Sequence, residues 1–135
     1  MKILVLNGSP TRDGNTVALV NAFKEGAESK GHEVTVLNVA HKKVNGCMSC
    51  GYCKGAGNGK CAQKDDMQEI YPYLMEAEMI TFASPIYYFT MSAQLQAVVQ
   101  RFLTSLRQSQ KTPRFMLNGQ LIQVWLLQLN MGQIQ

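Results

Sequence analysis

Ile3-Leu4-Val5-Leu6-Asn7-Gly8-Ser9-Pro10-Thr11-Arg12-Asp13-Gly14-Asn15-Thr16 is the stretch that decides the fold: an unbroken apolar run feeds a loop of small, turn-forming residues. A run without polar alternation suits a central parallel strand covered on both faces. The loop then opens onto an amphipathic segment in which Leu19, Ala22, Phe23 and Ala27 recur at helical spacing and Gly31 supplies the stop. Strand, loop and helix in that order place free N–H groups and a positive helix end where an anion can sit, over Ser9 to Thr16. The loop has neither the Lys-Ser/Thr ending of a nucleoside-triphosphate loop nor a GxGxxG pattern, so the phosphate of flavin mononucleotide fits it better.

Working outward, Val34 to Val39 reads as a second strand, Met79 to Ala83 as a third, and Leu121 to Leu129 as a last candidate. Asp66 and Glu69 have capping-box spacing ahead of a short helix with the stripe Met67, Ile70, Tyr71 and Leu74. Pro72 either kinks that helix or starts a second turn. Ser92 is placed to cap a further helix with the stripe Leu95, Val98, Val99, Phe102 and Leu106. Alternating strands and helices predict a doubly wound α/β sheet with parallel strands. In such a sheet the loops Gly8 to Asn15 and Pro85 to Met91 lie side by side where strand order reverses.

Composition narrows the partners. The 135 residues are 46% apolar and 16% charged, enough for one domain with a real core. The net charge is +4, and every acidic residue lies at or before Glu78, whereas Arg101, Arg107, Lys111 and Arg114 follow. No basic stripe or recognition motif accompanies that asymmetry, so no nucleic-acid partner is expected. The apolar run ends at Leu6, too short for a signal peptide, and Pro85 breaks the other candidate span, so neither membrane insertion nor export is expected and the location is read as cytoplasmic. His32 and His41 fall in surface connections and match no zinc-hydrolase spacing.

Cys47, Cys50, Cys53 and Cys61 are spaced C-x2-C-x2-C-x7-C in a glycine-rich segment. In a reducing compartment such cysteines are ligands or redox groups rather than a disulfide framework. Two overlapping CxxC spacings suit the irons of a [4Fe-4S] cubane better than structural zinc, which more often pairs two separated CxxC units; free or oxidised thiols are the remaining alternative.

Three motifs in order, GSPTRDGNT at residues 8–16, CMSCGYCKGAGNGKC with KDDM at residues 47–61 and 64–67, and SPIYYFTMSAQLQAVVQRF at residues 84–102, resemble the flavodoxin-like NADPH-dependent FMN reductase and iron-sulfur flavoprotein family. The resemblance covers about Met1 to Phe102. It implies a flavodoxin-like doubly wound sheet in one domain spanning residues 1–135, with residues 108–135 atypical and the last strand and helix expected to be lacking. It assigns Ser9, Arg12, Asn15 and Thr16 to the flavin phosphate, with Arg12 alternatively facing solvent or serving the extra phosphate of NADPH. Pro85, Ile86, Tyr87, Tyr88 and Phe89 are assigned to the isoalloxazine ring. No catalytic acid or base is implied, because hydride passes directly between nicotinamide and flavin.

The implied function is an FMN-binding oxidoreductase passing reducing equivalents from NAD(P)H to a quinone, free flavin, protein or iron-sulfur acceptor. The alternatives are a noncatalytic binding module with structural zinc in the cysteine loop, and an electron carrier without nicotinamide oxidation. A strand at Leu121 to Leu129 with no fifth strand beside it leaves an apolar edge, so a homodimer or homotetramer is expected.

Overall fold

The computed structural model describes residues 1–102. Its order is β1 (Lys2–Asn7), α1 (Asn15–Glu28), β2 (Glu33–Asn38), a 3-10 turn Val39–His41, a second such turn Tyr52–Lys54, α2 (Met67–Glu76), β3 (Met79–Ala83), β4 (Ile86–Tyr87), β5 (Thr90–Met91) and α3 (Ala93–Gln100). The three long strands form a parallel sheet in the order β2-β1-β3, with Val5 opposite both Val36 and Thr81.

The uninterrupted apolar character of β1 follows from its central place, because alternate side chains serve different cores. Ile3 and Val5 pack with Val20, Val34 and Ala83 on the α1 face, joined by Phe23 and Ala27. Leu4 and Leu6 pack on the opposite face with Met67, Ile70, Tyr71 and Leu74 of α2 and Leu95 and Val98 of α3. Each such side chain contributes about 1.5–3 kcal/mol when taken out of water. Helices on both faces of a parallel sheet are the doubly wound arrangement expected from the sequence. The strand candidate Leu121 to Leu129, Leu106 and the atypical segment 108–135 lie outside the described residues.

Boundaries differ from the expectation in instructive places. β2 ends at Asn38, and Val39 begins a 3-10 turn instead. Helix α1 ends at Glu28, followed by Gly31 at φ +79°, where a Cβ would be strained. The capping box at Asp66 does not form: Asp66 is itself helical and its side chain caps nothing. Its carboxylate accepts the Lys43 N–H at 2.7 Å, and the neighbouring Asp65 carboxylate takes the Met67 N–H at 3.2 Å. Glu69 pairs with Lys42. Pro72 lies inside α2, which continues through it.

Ser92 caps α3 as expected, its hydroxyl oxygen accepting the Leu95 N–H at 3.4 Å. Phe102 reaches β3, its ring 5.7 Å from that of Phe82. Among the described residues no helix is long and apolar enough to cross a membrane.

Candidate functional site

The β1–α1 loop is held open by its own polar groups. Asn7 donates to the Asn38 side-chain oxygen across the ends of β1 and β2 at 2.9 Å, and its own oxygen accepts the Ser9 N–H at 3.0 Å. The Ser9 hydroxyl lies 3.0 Å from that of Thr11. Gly14, not Asn15 or Thr16, occupies the N-cap position of α1, and no side chain caps the helix. Its first-turn N–H groups therefore face the loop without a capping side chain among the described residues, the arrangement that receives an anion. Ser9 and Thr16 are buried here, whereas Arg12 and Asn15 are exposed.

Beside this loop is a cavity of about 440 Å³ lined by Ser9, Thr11, Arg12, Val17, Asn38 and His41. Asn38 and His41 are not among the site residues expected from sequence. Both arrive through the parallel register, which sets the end of β2 level with the end of β1.

The second loop is pressed against the first. The Gly8 N–H donates to the Ala83 carbonyl at 2.8 Å, and a Cβ on Gly8 would stand 2.6 Å from the Ser92 hydroxyl and 2.7 Å from Leu95 Cβ. Ser84, which opens the third sequence motif but has no role assigned from sequence, pins this loop: its hydroxyl donates to the Pro85 carbonyl and accepts the Ser92 N–H, both at 2.8 Å.

The loop expected from Pro85 to Met91 turns back as a hairpin, with Ile86 paired to Met91 and Tyr87 to Thr90. Tyr88 and Phe89 form its tip at φ +47° and +65°, and they are 97% and 100% exposed. Two left-handed residues are what a two-residue hairpin turn requires, but Gly and Asn usually fill them. Large aromatic side chains held there cost about 1–2 kcal/mol each.

The cysteine segment leaves β2 and returns at α2. Cys47 and Cys50 are exposed, Cys53 and Cys61 half-buried, and all four are free thiols. Four thiols on a glycine-rich loop suit an iron-sulfur cluster as a donor set. Among the described residues, however, no three metal-ligating side chains are gathered into a site. The base of the segment is ordered by an ion pair that sequence reasoning missed. Arg101 is 1% exposed and grips Asp65 through both terminal nitrogens, at 2.9 and 3.2 Å. Burial pushes the Asp65 carboxyl up, but the hydrogen bond from Arg101 and that from the Asn45 N–H outweigh it and hold the group below its ordinary value.

A parallel three-stranded sheet in the order β2-β1-β3, with its loop crevice beyond the ends of β1 and β3, defines a doubly wound α/β architecture. The NAD(P)H:quinone oxidoreductase from Methanothermobacter marburgensis has this fold, with a TM-score of 0.61 at 20% identity over 75% of this chain and 52% of that one. So does an FMN-dependent NADH-azoreductase from Bacillus anthracis solved in complex with FMN, with a TM-score of 0.55 at 16% identity over 75% of this chain and 55% of that one.

Sequence relationship is closer. An iron-sulfur flavoprotein of Archaeoglobus fulgidus is 35% identical over 103 residues, 76% of this chain and 46% of its own length. One from Methanocaldococcus jannaschii is 37% identical over 101 residues, 75% of this chain and 51% of its own. The NADPH-dependent FMN reductase family model matches residues 1–121, and the chain belongs to that flavodoxin-like family. It spans about half the length of these curated relatives.

Proposed function

We propose that this chain is an FMN-binding oxidoreductase that takes reducing equivalents from NAD(P)H and hands them to an acceptor. The observation that carries the reading is the contact between the two crevice loops at Gly8, which leaves an uncapped helix start and an aromatic hairpin on one sheet edge. Backbone N–H groups of the α1 first turn, with Ser9, Asn15 and Thr16, receive the FMN phosphate. Arg12 lies on the exposed side, where its guanidinium adds charge to the same phosphate or to a phosphate of the nicotinamide cofactor. Pro85, Ile86 and Tyr87 line the ring edge, and Tyr88 and Phe89 cover it and exclude water. FMN, when bound, supplies the hydride-accepting chemistry, so no side chain has to act as acid or base.

Cys47, Cys50, Cys53 and Cys61 hold a [4Fe-4S] cluster in this reading, which supplies a one-electron acceptor. The four sulfurs must be drawn together to do so, because no three metal-ligating side chains are gathered among the described residues. The name shared by the archaeal relatives supports the assignment, as does the donor set.

Phosphate recognition gives the direct test. FMN should bind at least about a hundredfold more tightly than riboflavin, which lacks the charged group that the helix start receives. Flavin fluorescence titration measures both, and equal affinities would place the flavin elsewhere.

The hairpin tip gives a second test, because the reading sets stability against binding there. Replacing Tyr88-Phe89 by Asn-Gly should stabilise the fold by up to about 1–2 kcal/mol for each relieved residue while weakening FMN retention. A variant with a raised melting temperature and unchanged FMN affinity would remove both aromatics from the site.

A further inference from the structure

We propose that Asp65, Gln100 and Arg101 form a clasp that fixes the cysteine loop against the end of α3, and so fixes it relative to the flavin crevice. They are positioning residues for the cluster ligands; the inference rests on the cluster reading above.

The mouth of the loop is closed by reciprocal contacts between its two flanks. Lys43 N–H donates to the Asp66 carboxylate at 2.7 Å and Asp66 N–H donates back to the Lys43 carbonyl at 3.1 Å. Asn45 N–H donates to Asp65 at 2.9 Å, and the Gln63 side-chain amide donates to the Gly46 carbonyl at 3.1 Å. From α3, Arg101 inserts beneath this closure, gripping Asp65 and donating to the Asn45 carbonyl at 2.9 Å. The Gln100 side-chain oxygen accepts the Cys47 N–H at 3.2 Å. The backbone of the first cysteine is thereby tied to a helix, while Cys61 packs partly buried against the core that α3 helps to form.

The other end of α3 begins at Ser92, whose hydroxyl is the atom a Gly8 Cβ would meet at 2.6 Å. One helix of eight residues, about 12 Å long, therefore touches the phosphate-loop wall at its start and the cysteine loop at its end. A rigid element of that length fixes the spacing of two redox groups better than the glycine-rich loop can alone.

The test uses the full chain, reconstituted anaerobically with iron and sulfide, and its metal-free form. The paired variant Asp65→Asn with Arg101→Met removes both charges together, so that no buried charge is orphaned. It should retain FMN as the unaltered protein does. In metal-free protein the paired variant should exchange the Asn45 and Cys47 amide hydrogens about tenfold faster, and Gln100→Ala the Cys47 amide alone, as expected for loss of one hydrogen bond.

Unchanged exchange would overturn the clasp. If iron fails to bind the unaltered protein, the cluster reading falls. Amide exchange in the metal-free protein then decides the clasp, faster exchange upholding it as a loop anchor and unchanged exchange refuting it.

Discussion

Arg101→Ala is expected to lower the free energy of unfolding by about 3–5 kcal/mol near neutral pH, among the largest effects of any single substitution in this chain. The Asp65 side chain is only 7% exposed, and without the guanidinium its carboxylate keeps, among the described residues, just the Asn45 and Met67 N–H groups as donors. The Asn45 carbonyl also loses its partner. Breaking a buried pair from one side costs far more than the pair contributes, because the remaining charge stays in a medium that solvates it poorly.

The pH dependence follows from the direction of the Asp65 shift. With its folded value held below the ordinary 3.8, the carboxylate contributes stability that is fully present above that value and is lost as pH falls through the lowered one. In Arg101→Ala the upward push of burial loses its main opponent, so the group can escape part of the penalty by taking a proton. The gap between the two proteins should therefore be widest near about pH 7 and narrow toward about pH 4. Urea unfolding at both pH values measures it. A loss under about 1 kcal/mol, or a gap that does not change with pH, would mean that Asp65 is solvated well enough not to need Arg101.

What the sequence made legible was whatever depends on local pattern. The continuous apolar run from Ile3 to Leu6 announced a strand buried on both faces, and the structure sends its alternate residues into two cores. Ser92 ahead of the stripe Leu95, Val98, Val99 announced a capped helix. The juxtaposition of the two crevice loops followed from strand order, because parallel strands with helical connections leave one place for the order to reverse.

The parts that stayed hidden depend on partners distant in sequence. Asp65 and Asp66 are adjacent carboxylates with equal claims to a helix start. The Lys43 N–H captures Asp66 and Arg101 captures Asp65, neither of which local spacing reveals. Arg101 itself reads as a solvated charge at the end of an apolar stripe, since its partner lies 36 residues earlier. The hairpin was hidden because Tyr88 and Phe89 contradict the Gly and Asn signal on which a tight turn is normally recognised. Its misfit residues lie in the loop assigned to the flavin ring, where departures from local preference are expected. For Cys47, Cys50, Cys53 and Cys61 the spacing identified the donor chemistry, but spacing on a glycine-rich loop does not fix where the sulfurs stand.

Gly8→Val is the second substitution expected to act strongly, and it acts on fold and site together. A Cβ at Gly8 would lie 2.6 Å from Ser92 Oγ, 2.7 Å from Leu95 Cβ and 3.3 Å from Leu95 Cδ2. A side-chain tip can rotate away from such a contact, but Leu95 Cβ is fixed to the helix backbone and its side chain is fully buried. The start of α3 must therefore move, carrying with it the Ser92 oxygen that caps the helix and the Ser92 N–H held by Ser84. Overpacking a filled site and loosening a cap together cost about 2–4 kcal/mol. The displaced segment is the wall between the two crevice loops, so FMN retention should fall with stability, and the smaller Gly8→Ala should already show both effects in weaker form.

Gly26→Ala is the matched control. It lies in α1 with nothing within 4 Å of the added carbon, and it should stabilise the protein by about 0.5–1 kcal/mol through the helix backbone alone. Thermal unfolding and FMN titration of the three variants separate the outcomes. If Gly8→Val unfolds at the same temperature as the unaltered protein and keeps its flavin, the two loops do not meet at Gly8. A destabilised variant that still binds FMN at full affinity would keep the packing argument and remove this wall from the cofactor site.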